Sequence, residues 1–137
     1  MTSSPPLPDI DDPVTAPFWT AARQSRLTAQ RCPHCAALRW PPLPICPECL
    51  STGGDWSDLA GLGTIWSYAV YHRALHPAFA DDIPYAVAMI NLPEGLTMIG
   101  QISGALDGLH IGQTVHALFH PATPDVTLIQ WSILPTR

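Results

Sequence analysis

The chain has 137 residues, which suits one domain or a small module joined to a compact domain. A hydrophobic fraction of 47% is enough to bury a core, so wholesale disorder is excluded. The chain carries six arginines, no lysine and a net charge of −5. A nucleic-acid clamp needs a basic surface, and Schiff-base chemistry needs a lysine. Composition therefore disfavours both of these function classes.

The sequence contains no apolar run near the ~20 residues that cross a bilayer. Its first residues also lack the basic and then hydrophobic pattern of an export signal. We therefore expect a cytoplasmic protein without a membrane partner. In a reducing cytosol, paired cysteines are more often metal ligands than disulfides.

Residues 1–17 contain five prolines and predict an extended, flexible arm, either a frayed tail or a strap along a partner. The apolar residues Phe18, Trp19 and Ala22 follow at helical spacing and predict a short helix that ends near Ser25. A helix this short is not stable alone, so it must dock on the core of this chain or on another subunit.

The rest of the chain is predicted to be mainly β. Residues 18–60 should hold the helix and a rubredoxin-like ribbon, with strands at 27–31, 37–43 and 55–60. Residues 61–137 should form a barrel from five runs rich in β-branched and aromatic residues. These runs are 64–73, 85–92, 96–103, 114–120 and 126–133. Five strands with a long first strand are typical of the OB-fold, whereas a sandwich usually needs seven.

Two CxxC pairs carry the strongest chemical signal: Cys32 with Cys35 and, after ten intervening residues, Cys46 with Cys49. Four thiolates on two turns can surround one Zn²⁺ tetrahedrally and leave no open position for catalysis. A rubredoxin-type iron would use the same ligands, so spacing alone does not separate the two metals. Redox-active disulfides are the alternative, but the thioredoxin-type context is missing. We predict a structural zinc site. His34 in the first turn could compete for the metal, but four cysteines already complete its coordination.

The remaining histidines are weaker candidates. His72 and His76 lie near two aspartates after the first barrel strand, where a histidine and an aspartate could form a general base. No serine or cysteine nucleophile stands in a recognisable setting, so a solvated loop is the better interpretation. His116 and His120 share one strand face but lack a third metal ligand.

Aromatic residues raise the alternative of a nucleic-acid-binding OB-fold. The rings that could stack on bases are Trp56, Trp66, Trp131, Tyr68, Tyr71 and Tyr85. Such a groove also needs cations, and Arg73 is the only arginine of the barrel region before Arg137. Packing in a core or an interface explains most of these rings better.

An ordered set of motifs resembles a known family, the zinc-ribbon plus OB-fold proteins long classed as domain of unknown function 35. The similarity extends from about Phe18 to the last strand and is carried by Phe18-Trp19, Arg31-Cys32-Pro33-His34-Cys35, Leu38-Arg39-Trp40-Pro41-Pro42, Cys46-Pro47-Glu48-Cys49, Gly63-Thr64-Ile65-Trp66-Ser67-Tyr68, His76-Pro77-Ala78-Phe79, Pro84-Tyr85 and Ile111-Gly112-Gln113-Thr114-Val115. Many relatives have glycine after the second cysteine of a pair, where this chain has Ala36 and Leu50. A different turn geometry is expected there.

The resemblance implies an accessory subunit without catalytic residues of its own. Similar proteins accompany thiolase-fold enzymes (acetyltransferases, thiolases and steroid side-chain aldolases), and some lie beside hot-dog-fold hydratases. We therefore expect a complex of two plus two chains with a thiolase-fold subunit, acting on acyl-CoA. The family's zinc ligands correspond to the four cysteines. Arg73 and His76, at the loop 74–84, are the candidates for acyl-CoA contact. A nucleic-acid binder and a free-standing enzyme using His72 or His76 remain the alternatives.

Overall fold

A computed structural model describes residues 4–133. Its elements are helix α1 (Ala16–Arg23) and strands β1 (Thr28–Arg31), β2 (Leu38–Arg39), β3 (Asp55–Asp58), β4 (Leu62–Tyr71), β5 (Tyr85–Asn91), β6 (Thr97–Ser103), β7 (Thr114–Pro121) and β8 (Thr127–Ile133). The predicted mainly β class is confirmed. The first three residues of the predicted arm and the last four of the predicted barrel domain lie outside the described residues. No helix within 4–133 is long and apolar enough to cross a bilayer.

The ribbon is a three-stranded antiparallel sheet in the order β2-β1-β3. Its central strand buries Thr28, Ala29 and Gln30, a set with no large apolar side chain. Strand β2 has two residues, so the predicted strand 37–43 is wrong over most of its length. The prolines at 41, 42 and 44 have no amide hydrogen to donate, which ends the sheet pairing early.

Strands β4 to β8 form a closed barrel in the order β4-β5-β6-β8-β7. Neighbouring strands are antiparallel except β6 and β8, which run parallel. This is the Greek-key arrangement of the predicted OB-fold. Strand β4 pairs with β7 at its start and with β5 along its length, with a register shift between Ile65 and Ser67. Such a shift bends the strand, which lets β4 pair with both β5 and β7 and so close the barrel.

The barrel core follows the alternation expected of a half-buried strand. On β5, Ala86, Ala88 and Ile90 are buried, and the residues between them are half-buried. The indole of Trp131 on β8 fills the interior and is 1% exposed. Gly100 on β6 makes room for it, since a Cβ at Gly100 would lie 2.6 Å from the Trp131 Cδ1 atom.

Helix α1 connects the ribbon to the barrel. It packs against β1 of the ribbon and against β7 and β8 of the barrel. The buried Phe18 belongs to the same apolar cluster as Ile65 and Trp131. Its ring centroid is also 4.7 Å from that of Trp40 in the ribbon. Of the two docking surfaces that the sequence left open for this helix, the core of its own chain is the one used.

Candidate metal centre

The four cysteines converge beside the end of β1, which leads directly into Cys32. Their sulfur atoms all lie within 4.8 Å of one another. The Cys32 and Cys49 sulfurs are 3.5 Å apart, and those of Cys35 and Cys46 are 3.7 Å apart. Sulfurs placed ~2.3 Å from a central Zn²⁺ in a tetrahedron are about 3.8 Å apart. The thiol cluster therefore has the size and donor set of a zinc tetrathiolate.

Each cysteine pair sits on the same type of backbone turn. The amide of Ala36 donates to the carbonyl of Cys32 at 3.0 Å, and the amide of Leu50 donates to that of Cys46 at 2.9 Å. Ala36 and Leu50 have φ values of 65° and 64°, in the left-handed region that glycine adopts easily. Both turns thus have the backbone conformation that glycine favours, although neither position is glycine. Alanine and leucine keep the left-handed turn at a cost of about 1–2 kcal/mol each.

The surroundings of the sulfurs shift the thiol pKa values of three cysteines in different directions. The Cys32 Sγ accepts from the amide of Cys35 at 3.5 Å and from a second turn amide at 3.4 Å, which lowers the pKa of this thiol. The side chain and then the amide of Ser51 lower the pKa of Cys49 to about 6. The amide of Ala37 favours the Cys35 thiolate, but burial and the three neighbouring sulfurs outweigh it and raise that pKa to about 12. Four thiolates this close require a cation between them, which is what a bound Zn²⁺ supplies.

The cysteines form the only cluster of three or more candidate metal ligands within residues 4–133. His34 is exposed on the first turn and stays outside the cluster. His116 and His120 both lie on β7, opposite Ser132 and Leu128, and no third ligand joins them among the residues that the structure describes.

A buried polar network beside the cysteines was not predicted. Arg39 on β2 and Gln30 on β1 are each 5% exposed, and the Arg39 Nε donates to Gln30 Oε1 at 2.8 Å. The signal in the sequence was an arginine between two apolar residues, Leu38 and Trp40. Nothing in a single sequence shows that this arginine turns inward.

The loop between β4 and β5 holds the two candidates for acyl-CoA contact. Arg73 is exposed. His76 is half-buried and precedes a short 3₁₀ turn, Pro77–Phe79, where its Nδ1 accepts from the amide of Ala78 at 3.0 Å. The sequence favoured a polar loop with solvated side chains. Instead its turn is capped by His76, whose ring stands edge-on to Phe79 with centroids 5.9 Å apart.

The aromatic residues do not share one surface. Trp131 lies inside the barrel, Trp66 is 57% exposed, and Tyr71 stacks on Tyr85 with ring centroids 5.0 Å apart. Trp131 is therefore not available to stack on bases, because it belongs to the core.

Two family descriptions match consecutive parts of the chain. Residues 19–54 match "ChsH2, rubredoxin-like zinc ribbon domain", and residues 56–120 match "ChsH2, C-terminal OB-fold domain". The first range covers part of α1, strands β1 and β2 and both cysteine pairs, and the second covers most of β3 and the barrel as far as β7.

Curated relatives carry two kinds of name. A probable enoyl-CoA hydratase alpha subunit of Thermomonospora curvata is 43% identical over 113 residues, which are 81% of this chain but 35% of that protein. The chain therefore spans about a third of that relative's length. A DUF35 domain-containing scaffold protein of Methanocaldococcus jannaschii is 34% identical over 101 residues, or 72% of this chain and 71% of that protein.

A solved structure extends the likeness to nearly the whole fold. A chain of the complex described as "Ltp2-ChsH2(DUF35) aldolase" superposes with a TM-score of 0.82 and 38% identity, covering 92% of this chain and 98% of that one. With its ribbon, its five-stranded barrel, and a scaffold relative and a solved chain that are each matched over most of their length, this chain belongs to the DUF35 family of zinc-ribbon and OB-fold proteins.

Proposed function

We propose that this chain is a non-catalytic accessory subunit of a thiolase-fold enzyme complex that acts on acyl-CoA as a thiolase, acyltransferase or aldolase. The observation that carries the proposal is the likeness, across 92% of the chain, to a subunit of a solved aldolase complex. The named hydratase and scaffold relatives support a role beside an enzyme. A cytoplasmic location remains our prediction.

The proposed metal is structural zinc held by the thiolates of Cys32, Cys35, Cys46 and Cys49. With all four positions taken by protein sulfurs, such a centre offers no site for substrate or water. When bound, zinc supplies folding free energy to a ribbon whose sheet buries little apolar surface.

The exposed apolar surface of the barrel supports docking against a larger subunit. Charged residues are 12% of the chain, and several large apolar side chains are exposed on the barrel and its loops. They are Leu62, Trp66, Tyr68, Leu75, Ile83, Ile99 and Ile111. A partner that covers exposed apolar side chains removes them from water, which favours association. We infer a complex of two copies of each chain around the enzyme's two-fold axis.

For acyl-CoA contact we retain Arg73 and His76 as candidates at the partner interface. The exposed guanidinium of Arg73 suits a CoA phosphate, because arginine binds phosphate through paired hydrogen bonds. His76 uses Nδ1 to cap a turn, which leaves Nε2 as the nitrogen free to meet a ligand. Both residues would then guide the substrate rather than react with it.

A hydratase of the hot-dog fold is the second candidate partner. The observation that favours it is the 43% identity to a probable enoyl-CoA hydratase alpha subunit. Both partner classes process acyl-CoA, so the accessory role is the same and only the catalytic subunit differs.

Co-expression with each candidate partner tests the proposal. We expect a stable mixed complex of two plus two chains with the thiolase-fold protein by light scattering after size exclusion. The chain expressed alone should self-associate, because its docking surface is exposed. A well-behaved monomer that ignores the thiolase-fold protein would overturn the proposed partner. Assembly with the hydratase instead would assign the second candidate.

Kinetics of the reconstituted complex test the absence of catalytic residues. Arg73→Ala and His76→Ala should change turnover modestly, whereas loss of a general base costs roughly 10²–10⁴-fold. His76→Asn is the matched control, because asparagine can keep the acceptor for the Ala78 amide without an imidazole. Complete loss of activity with intact assembly in both His76 variants would place this chain in the active site.

A further inference from the structure

A buried arginine in the ribbon has no carboxylate partner among the described residues. Arg39 is 5% exposed, and the single ion pair within 4–133 lies elsewhere. Its guanidinium donates to neutral oxygens: Gln30 Oε1 at 2.8 Å, the Leu43 carbonyl at 3.1 Å and the Gly53 carbonyl at 2.7 Å. The Nη1 atom is buried without a hydrogen-bond partner. A buried cation is costly unless a negative charge lies nearby.

Two of the carbonyl groups that bind Arg39 flank the second cysteine pair in the sequence. Leu43 lies just before the segment that carries Cys46 and Cys49, and Gly53 lies just after it. Gln30 Oε1 also accepts from the amide of Leu43 at 2.7 Å. Gln30 is on β1, the strand that leads into Cys32. The network therefore connects the residues on either side of the Cys46–Cys49 turn to the strand that precedes the Cys32–Cys35 turn.

The space for this guanidinium depends on a glycine. A Cβ at Gly54 would lie 2.8 Å from the Arg39 Nη2 atom and 3.2 Å from the Gln30 Nε2 atom. Gly54 is not among the residues with positive φ, so its backbone does not require glycine. Glycine is favoured at position 54 because a side chain there would displace the Arg39 guanidinium.

We propose that Arg39 is a positioning residue for the metal centre. By joining Leu43 and Gly53 to Gln30, it holds Cys46 and Cys49 opposite Cys32 and Cys35. The inference rests on the proposed zinc site, since these four cysteines are the ligands that Arg39 would position. Partners outside the ligand shell commonly change metal affinity by about 10- to 100-fold.

Zinc affinity measured by competition with a chromophoric chelator tests this role on the full chain. Arg39→Met should weaken zinc binding by about 10- to 100-fold. Arg39→Lys keeps the charge but lacks the planar fork that reaches several acceptors, so most of the loss should persist. Arg23→Met is the matched control, because Arg23 is exposed on α1 and should leave affinity unchanged.

Gly54→Ala gives an independent test, because its Cβ displaces the guanidinium without removing the charge. We expect weaker zinc binding than in the wild type and an altered visible spectrum of the Co²⁺-loaded protein, which reports ligand geometry. If Arg39→Met fails to fold, Gly54→Ala and Arg39→Lys provide the test. Unchanged affinity and spectrum in the folded variants would overturn the inference. Absence of zinc from the wild type would instead overturn the proposed metal site.

Discussion

The ribbon and the barrel differ in what they bury. In the barrel, the largest enclosed side chains are apolar: Ile65, Ile90, Val115 and Trp131. In the ribbon, the enclosed residues include Thr28, Gln30, Arg39, Cys32 and Cys46. Hydrophobic burial can stabilise the barrel by itself, whereas the ribbon has hydrogen bonds and, in our proposal, a bound metal. One short chain thus combines two sources of stability, and each can be perturbed separately.

Removing a metal ligand should have the largest effect. Cys46→Ser should abolish zinc binding and unfold the ribbon, since structural zinc sites bind with apparent free energies of about 10–16 kcal/mol. Elemental analysis should find about one zinc in the wild-type chain and none in the variant. Hydrogen exchange should show loss of protection in β1 to β3 and residual protection in the barrel. Full zinc content in Cys46→Ser would contradict the ligand assignment.

Removing the main core residue of the barrel should have the converse effect. Trp131→Ala should lower the free energy of unfolding of the barrel by about 3–5 kcal/mol, because a large cavity is left in a closed core. The measurement is urea denaturation followed by far-ultraviolet circular dichroism. Zinc content should stay close to that of the wild type. If the variant also loses its zinc, the two halves are not separable as we infer.

The turns around the cysteines offer a smaller and opposite change. Ala36→Gly and Leu50→Gly should each stabilise the zinc-loaded ribbon by about 1 kcal/mol, because glycine relieves the left-handed strain. Ala37→Gly is the control, since Ala37 has no positive φ and gains only freedom in the unfolded chain. Thermal unfolding of the three variants measures the difference. Equal destabilisation by all three would show that the turns are unstrained.

The smallest expected effect concerns the exposed ion pair beside the ribbon. The Arg26 guanidinium donates to Asp58 at 2.7 Å and, by this hydrogen bond, lowers the pKa of Asp58. A lowered pKa in the folded state gives a stabilisation that is present above the ordinary carboxyl pKa and lost as the pH falls through and below it. Wild type and Asp58→Asn should therefore differ slightly in melting temperature at neutral pH and converge in acid. A difference that persists at low pH would show another role for Asp58.

The sequence predicted the elements of this fold better than its polar interior. The barrel strands could be found because alternation and turn residues are local signals, and the CxxC spacing is equally local. The network of Arg39 depends on contacts with Gly53 and Leu43, which only the folded ribbon brings together. The turn capped by His76 was missed because three residues are too few to show a period. Contacts that depend on tertiary structure leave little trace in a single sequence.

The packing of α1 on β8 affects the order of events during synthesis. The helix is the first described element to leave the ribosome, and β8 is the last. Until β8 emerges, Phe18 has no completed barrel to cover it, while both cysteine pairs are already outside the tunnel. Contacts between distant parts of a chain form late, so the ribbon can take up its metal before the barrel closes. With the proposed zinc site, the nascent chain depends on the zinc supply of the cell earlier than on completion of its own hydrophobic core.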